Sequence, residues 1–157
     1  MTDPIGAFEH THADLTKVAL EIGQAIRDEE GQPRKLSAAQ RKKVRVLLER
    51  LRDDVLHHFA DEEEVLFPFV RRALPERAAV VDKLEASHDL ICGTVVRLAH
   101  LVGHSVHRQL GALYARFERA YGEHSRDELA LFDELRQRLV ANERAELASL
   151  LRELSER

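Results

Sequence analysis

The chain has 157 residues, of which 44% are hydrophobic and 33% charged, and its formal net charge is −4. This composition is too apolar for a disordered chain and too charged for a membrane protein, and the negative charge gives no basis for binding nucleic acid. One cysteine, Cys92, excludes a disulfide framework within the chain and a cysteine-based zinc site, and without a signal peptide or a long apolar run we expect a cytoplasmic protein.

Helix-start signals and breakers divide the chain into long helical segments. Asp3 followed by Pro4 is typical of a helix start, and Ser37 with Gln40 matches a capping box. Gly31 lies in the predicted loop between these segments. The predicted helices span about 4–29, 38–72, 76–102 and 106–140, and a helical tail follows at 143–156.

The connections between these helices are short. Pro75 indicates a stop and restart, and the segment from Gly103 to Ser105 indicates a turn with Ser105 as the N-cap. Long helices with short connections favour an all-α fold, an antiparallel up-down-up-down four-helix bundle. We therefore expect one domain over 1–157, with a core at about 4–140. The tail either caps the bundle or pairs with another chain, and an oligomer is left open.

Each predicted helix carries an apolar stripe at alternating three- and four-residue spacing, which is typical of a packed helix face. Every stripe is interrupted once by histidine, and two stripes carry glutamate four residues after that histidine. The interrupting residues are His12, His58, Glu62, His88, His124 and Glu128. A second pair with the same spacing, His57 and Asp61, falls on a polar face and is rejected.

The depth of the four histidines can be compared through the turns, because residues equally far from the turn of an antiparallel hairpin lie at the same level. The midpoints between consecutive histidines fall at positions 35, 73 and 106, beside the predicted turns. At ~1.5 Å per residue, the histidines would lie roughly 20–30 Å from those turns. We therefore expect them in one layer of the bundle core.

Such a layer would place two carboxylates beside four imidazoles in the core, at a high cost if they were unpaired. A pair of divalent metal ions removes this cost, because histidine and glutamate at this spacing share a helix face. Nitrogen and oxygen donors without thiolate suit iron, and manganese or zinc is less favoured. The glutamates would bridge two ions, leaving room for an oxo or hydroxo bridge and for a small ligand. The alternative is a metal-free bundle with hydrogen-bonded polar core residues.

The pattern His12, His58-Phe-Ala-Asp-Glu62, His88 and His124-Ser-Arg-Asp-Glu128 resembles the hemerythrin-like family, also called HHE cation-binding domains. The resemblance covers 4–140, and the run from Asp61 to Pro68 is similar to the family's sequence after its first His-x-x-x-Glu. It implies a non-haem di-iron site in a four-helix bundle, which binds dioxygen or related small ligands. By the same resemblance, the six residues of the pattern are the metal ligands.

The sequence departs from the oxygen-carrying members, which have five histidines and a final His-x-x-x-x-Asp. Here the fourth helix ends its motif in Glu128, and Cys92 follows His88 by four residues. The four-histidine, two-glutamate version resembles bacterial members linked to nitric oxide, peroxide and iron–sulfur repair. We expect a protein that binds or senses dioxygen, nitric oxide or peroxide; the alternatives are a redox enzyme acting on peroxide or nitric oxide, and an iron donor.

Two further residues could assist such a centre. Tyr121 lies one stripe step before His124, so its hydroxyl faces either the metal layer or another partner in the core. Cys92 lies one turn after His88 and is either a redox thiol, an extra ligand or a small buried residue. Glu9 and Glu85 each precede a stripe histidine by three residues, and we expect them to orient those histidines or to face solvent.

Overall fold

The structure is a computed structural model. It describes residues 3–104 and 107–157, and no strand occurs within those ranges, which confirms the all-α class. The helices are α1 (Pro4–Ile26), α2 (Ala38–Asp61), α3 (Phe67–Ala73), α4 (Ala78–Leu101), α5 (His107–Arg138) and α6 (Ala141–Ser155). A π-helical turn (Glu62–Leu66) joins α2 to α3, and 3₁₀ turns occupy Pro75–Arg77 and Val102–His104.

The predicted starts of the first two helices are confirmed. The Asp3 carboxylate accepts a hydrogen bond from the Ile5 N–H, and Pro4 occupies the first turn, where its missing N–H costs nothing. Ser37 and Gln40 form the predicted capping box. The predicted N-cap Ser105 and the predicted helix start at 106 lie outside the described residues.

The first helix ends three residues earlier than predicted. The Asp28 carboxylate accepts hydrogen bonds from the N–H groups of Glu30 and Gln32, which folds the chain into a turn. Gly31 closes this turn at a φ of 79°, a left-handed conformation that glycine adopts without a steric penalty. These side-chain hydrogen bonds of Asp28 thus stabilise the turn in place of a further turn of helix.

The second predicted helix, 38–72, is interrupted by the π-helical turn. Within this turn the Phe67 N–H donates to the Glu62 carbonyl, five residues back rather than four. Pro68 explains the irregularity, because proline has no N–H and its ring clashes with the carbonyl four residues before it in a regular helix. Turns of this type are frequent at functional sites, and this one begins at a predicted ligand.

The long helices enclose a polar layer between two apolar clusters. α1 packs against α2 and α5, and α4 packs against the same two helices. One cluster lies on the side of the α1–α2 loop and the other on the side of α6. His12 lies between Phe8 of the α6-side cluster and Leu15 of the loop-side cluster, so the predicted metal layer falls at the boundary of the two clusters.

Helix α6 packs on the preceding helices rather than extending away from them. It contacts α1 and the π-helical turn, and its Leu147 is fully buried in the α6-side cluster. This helix begins at Ala141, two residues before the predicted tail, because the Glu143 carboxylate accepts a hydrogen bond from the Val140 N–H. Within 3–104 and 107–157, no helix has both the length and the apolar character needed to cross a bilayer.

Candidate metal centre

The structure brings five of the six predicted ligands to one place in the core. Two groups of three have donor atoms that all lie within 4.8 Å of one another. One group, the histidine-rich triad, consists of Glu62, His88 and His124. The other, the glutamate-rich triad, consists of His58, Glu62 and Glu128. Glu62 belongs to both triads.

The separations among these five residues are short enough for donors around shared cations. His58 Nε2 lies 2.8 Å from one Glu62 oxygen, and His88 Nε2 lies 2.9 Å from the other. His124 Nε2 lies 2.6 Å from a Glu128 oxygen, whose partner oxygen is 3.4 Å from His58 Nε2. Donors at right angles around an ion with bonds of about 2.1 Å lie roughly 3 Å apart.

These donor atoms are buried and lack hydrogen bonds. Across the described part of the chain, the buried side-chain nitrogen and oxygen atoms without a hydrogen-bond partner all belong to the five converging residues. They are Nε2 of His58, His88 and His124, and both carboxylate oxygens of Glu62 and Glu128. Because buried polar atoms are normally paired, seven such atoms facing one another indicate a missing shared partner.

Hydroxyl groups on neighbouring helices orient two of the histidines. The Thr11 hydroxyl donates to the backbone carbonyl of Phe8 at 2.9 Å and lies 3.1 Å from His58 Nδ1. The Ser87 hydroxyl donates to the Leu84 carbonyl and lies 2.7 Å from His124 Nδ1. A hydroxyl has one proton, so in each contact the imidazole Nδ1–H must be the donor. The Nε2 lone pair is then directed into the centre.

His88 is fixed by a carboxylate and by aromatic rings. Its Nδ1–H donates to Glu63 at 2.7 Å, the arrangement that commonly orients metal-binding histidines. The ring of Phe59 stacks on it at a centroid distance of 3.6 Å, and the ring of Phe67 packs at 5.4 Å. This histidine therefore has little freedom to turn away from the centre.

The sixth predicted ligand, His12, belongs to neither triad. Its ring lies in the same layer, with its centroid 6.2 Å from that of His58, and is buried. Its Nε2, however, forms a 2.9 Å hydrogen bond with the hydroxyl of Ser125. The expectation of six converging donors is thus met by five residues, with His12 beside them.

The electrostatics of the centre depend on the paired carboxylates. Burial, with the charge of Glu128 close by, raises the pKa of Glu62. Burial alone would also raise the pKa of Glu128, but its contacts with His124 and His58 hold that pKa below its ordinary value. Burial would lower the His58 pKa, but the two glutamates outweigh it and raise that pKa to about 10. In the metal-free protein the two carboxylates therefore favour the protonated form of His58, as they would favour a bound cation.

Tyr121 and Cys92 lie near the centre without joining it. The Tyr121 ring stacks on His12, and its hydroxyl lies 3.2 Å from the Thr16 hydroxyl and 3.4 Å from the His12 carbonyl. This hydroxyl is directed at the backbone of α1. Cys92 is half-buried beside the loop-side cluster, and burial raises the pKa of its thiol.

Sequence reasoning missed the residues that orient the histidines. Thr11, Ser87 and Glu63 each stand next to a predicted ligand in the sequence but contact a histidine on another helix. A polar residue beside a ligand was the available signal, yet its target depends on how the helices pack. Glu9 and Glu85 instead pair with the surface arginines Arg136 and Arg71.

The rejected histidine pair is on the surface, as predicted. The side chain of His57 is 79% exposed and lies 3.7 Å from Asp61.

The donors of the buried centre are nitrogen and oxygen atoms, which is the set that suits iron, manganese or zinc. The residues present therefore fit a bound cation.

Comparison with known proteins agrees with this chemistry. Residues 3–128 match the family model described as the hemerythrin HHE cation binding domain. Neither the curated proteins nor the solved structures contain a significant match to the chain. The matched range covers most of the chain and includes all five converging residues as well as His12. The protein therefore belongs to the hemerythrin HHE cation-binding family.

Proposed function

We propose that the protein holds two iron ions at this centre and uses them to bind or sense a small ligand: dioxygen, nitric oxide or peroxide. The observation that carries the proposal is the set of seven buried donor atoms without hydrogen-bond partners. Family membership supports a cation at this place. When bound, the iron pair would supply redox chemistry and open coordination positions for the ligand.

In this proposal the residues have distinct roles. Glu62 would be shared by the two ions, because it belongs to both triads. His88 and His124 would hold one ion and His58 and Glu128 the other, although Glu128 also has an oxygen beside His124 of the first triad. Thr11 and Ser87 accept hydrogen bonds from the Nδ1–H groups of His58 and His124, which keeps their Nε2 lone pairs directed inward. His12 is a further ligand of the second ion.

The number of donors leaves room for a ligand. Five residues supply the two triads, fewer than two six-coordinate ions require. A groove of about 230 Å³ between α1 and α2 reaches Thr11 and His58 from the surface. Its lining also includes Asp14 and Asp54. In this proposal the groove is the side from which a diatomic molecule or peroxide approaches the centre.

The proposal also includes the architecture around the centre. The packing of α1 on α2 and α5, and of α4 on the same helices, supports an antiparallel up-down-up-down bundle. The packing of α6 on α1 and the π-helical turn supports one domain over 1–157.

The test is an anaerobic titration of the reduced, iron-loaded protein with nitric oxide, followed by visible absorption. A stable adduct at a fixed ratio to iron, without turnover, is the expected result. Sustained consumption of peroxide or nitric oxide would replace binding with an enzyme function, and Tyr121→Phe would then test the tyrosine. Transfer of the iron to an iron-free acceptor protein would instead indicate an iron donor. Absence of an adduct with iron in place would contradict ligand binding.

A further inference from the structure

His12 is held differently from the other histidines of the layer. His58 and His124 direct Nε2 into the centre and bind a hydroxyl through Nδ1. His12 instead gives its Nε2 to the hydroxyl of Ser125 on α5, at 2.9 Å. Nε2 of His12 is thus hydrogen-bonded to a hydroxyl, whereas Nε2 of His58 and of His124, at the same depth, is not.

The two triads differ in what His12 could add. The histidine-rich triad already has two imidazoles, and His88 is held between Phe59 and Phe67. The glutamate-rich triad has only His58, and the His12 ring lies 6.2 Å from that ring, between centroids. A nitrogen donor from His12 would therefore complete the triad that has fewer nitrogens.

Other contacts hold the His12 ring close to the centre. Tyr121 stacks on it at a centroid distance of 5.6 Å, with the ring planes 12° apart. Thr16 on the same helix donates its hydroxyl proton to the His12 carbonyl. The stacking keeps the ring beside the layer, and its Nε2 is occupied by the hydrogen bond to Ser125.

We propose that the Ser125 hydroxyl, by its hydrogen bond to His12 Nε2, keeps His12 from binding metal, so that the two metal sites fill unequally. We call this contact the latch. In the metal-free protein the hydroxyl occupies His12 Nε2, and an ion in the glutamate-rich triad gains this ligand only after that hydrogen bond breaks. The histidine-rich triad fills first because it needs no ligand that is hydrogen-bonded elsewhere, whereas the other triad gains His12 only after the bond to Ser125 breaks. The inference rests on the proposed iron function and assigns Ser125 as a positioning residue.

The latch makes the second ion the exchangeable one. A hydrogen bond between neutral groups contributes modestly to stability, so it opposes the second binding step without preventing it. At low iron supply the protein would hold one ion, and the second would enter as supply rises. Occupancy of the second site, and with it ligand binding, would then depend on iron concentration.

The experiment is an anaerobic calorimetric titration of the metal-free full chain with Fe(II). The wild type should show two steps, the second weaker than the first. Ser125→Ala should tighten the second step by about two- to tenfold and leave the first unchanged, because the competing hydrogen bond is gone. Ser125→Thr keeps a hydroxyl and should restore the wild-type value. Ser155→Ala, at an exposed serine that bonds only its own helix, is the matched control.

A double-mutant cycle separates the latch from a structural role. His12→Ala should weaken the second step, and Ser125→Ala should have no effect on that step in the His12→Ala background. Co(II) spectra give a readout independent of affinity. The band of the second Co(II) ion should change in His12→Ala, since its coordination number falls, and should be unchanged in Ser125→Ala.

Three results would overturn the latch. Weaker second binding in Ser125→Ala would mean that Ser125 supports His12 as a ligand rather than competing for it. An unchanged second step in His12→Ala would mean that His12 is not a ligand. Two Fe(II)-binding steps of equal affinity in the wild type would contradict the unequal filling of the two sites. Failure of the proposed function is distinct, because the wild type would then bind no Fe(II) at all.

Discussion

The two His-x-x-x-Glu motifs have the same spacing but lie in different local structures. In the α2 motif, His58 lies in the last turn of α2, which ends at Asp61, and Glu62 begins the π-helical turn, with Pro68 six residues after Glu62. In the α5 motif, His124 and Glu128 lie within one continuous helix, and the residue six positions after Glu128 is Glu134. One motif is followed by a helix interruption, and the other is not.

The motifs also contribute differently to the centre. Glu62 belongs to both triads, whereas Glu128 belongs to the glutamate-rich triad and reaches the other only through its contact with His124. Burial raises the pKa of Glu62, while contacts with His124 and His58 overcome burial and lower that of Glu128. Identical spacing therefore does not give identical roles, because the role depends on which neighbouring helices face each carboxylate.

The largest expected effect distinguishes the two glutamates. Glu62→Gln should reduce bound iron from about two ions per chain to nearly none, because both triads lose their shared carboxylate. Glu128→Gln should leave about one ion, held by the histidine-rich triad. Metal analysis after iron loading measures both. Glu64→Gln, at an exposed position in the same π-helical turn, should retain the wild-type content. Equal losses in the two variants would contradict the asymmetry.

The next effect is on pH dependence. A His58 pKa raised to about 10 means that the protonated imidazole stabilises the metal-free fold fully below about pH 6.5, and that this contribution is lost as pH rises through 10. Since the metal must displace that proton, apparent affinity should rise about tenfold per pH unit between pH 7 and 9. Competition for Mn(II) between the protein and a chelator, repeated at each pH, measures this apparent affinity. Glu128→Gln should reduce the slope of metal affinity against pH. A wild-type affinity that does not change with pH would contradict a protonated His58 in the metal-free protein.

The hydroxyl partners should have effects of intermediate size that are specific to one motif. Thr11→Val removes the partner of His58, and Ser87→Ala removes that of His124. Each should weaken one metal-binding step by about 10- to 100-fold, the glutamate-rich triad in the first case and the histidine-rich triad in the second. Calorimetric titration measures both steps.

Thr94→Val is the control for these hydroxyl variants. Thr94 is a buried threonine whose hydroxyl donates to the Leu90 carbonyl of its own helix. Removing this hydroxyl should leave both metal-binding steps unchanged. If Thr11→Val and Ser87→Ala weakened the same step, the assignment of each histidine to a different ion would be wrong.

The smallest effect concerns the helix interruption itself. Pro68→Ala restores a backbone N–H, so a regular helix can compete with the π-helical turn around Glu62. Metal affinity should fall by a few-fold, and the free energy of unfolding of the metal-free protein should change by about 1 kcal/mol or less. Titration and denaturant unfolding measure the two quantities. Unchanged affinity would show that the turn is not needed to place Glu62.

The stripe pattern predicted the helices and the layer because burial selects for spacing that a sequence displays directly. His88, for example, follows Leu84 and precedes Ile91 on one face, and the structure buries all three. The π-helical turn was missed because the apolar stripe continues through it, although Pro68 was a visible signal against regular helix. The early end of α1 depends on a side chain, Asp28, whose local hydrogen bonds compete with helix.

The position of His12 could not be predicted from its spacing. Its stripe places it at the correct depth, but whether its Nε2 faces the donors or Ser125 depends on the rotation of α1 against α5. The same limit applies to Thr11, which stands next to His12 in sequence and serves His58 on α2. Depth follows from the sequence pattern, whereas pairing across helices follows from their packing.

The most direct test of the central claim is the iron content of protein purified from iron-supplied cells, measured together with its absorption spectrum before and after reduction. The account predicts about two irons per chain, with near-ultraviolet charge-transfer bands that bleach on reduction. Protein without metal, whose thermal stability does not change when iron is added, would contradict it, because seven buried donor atoms would then lack the partner inferred for them.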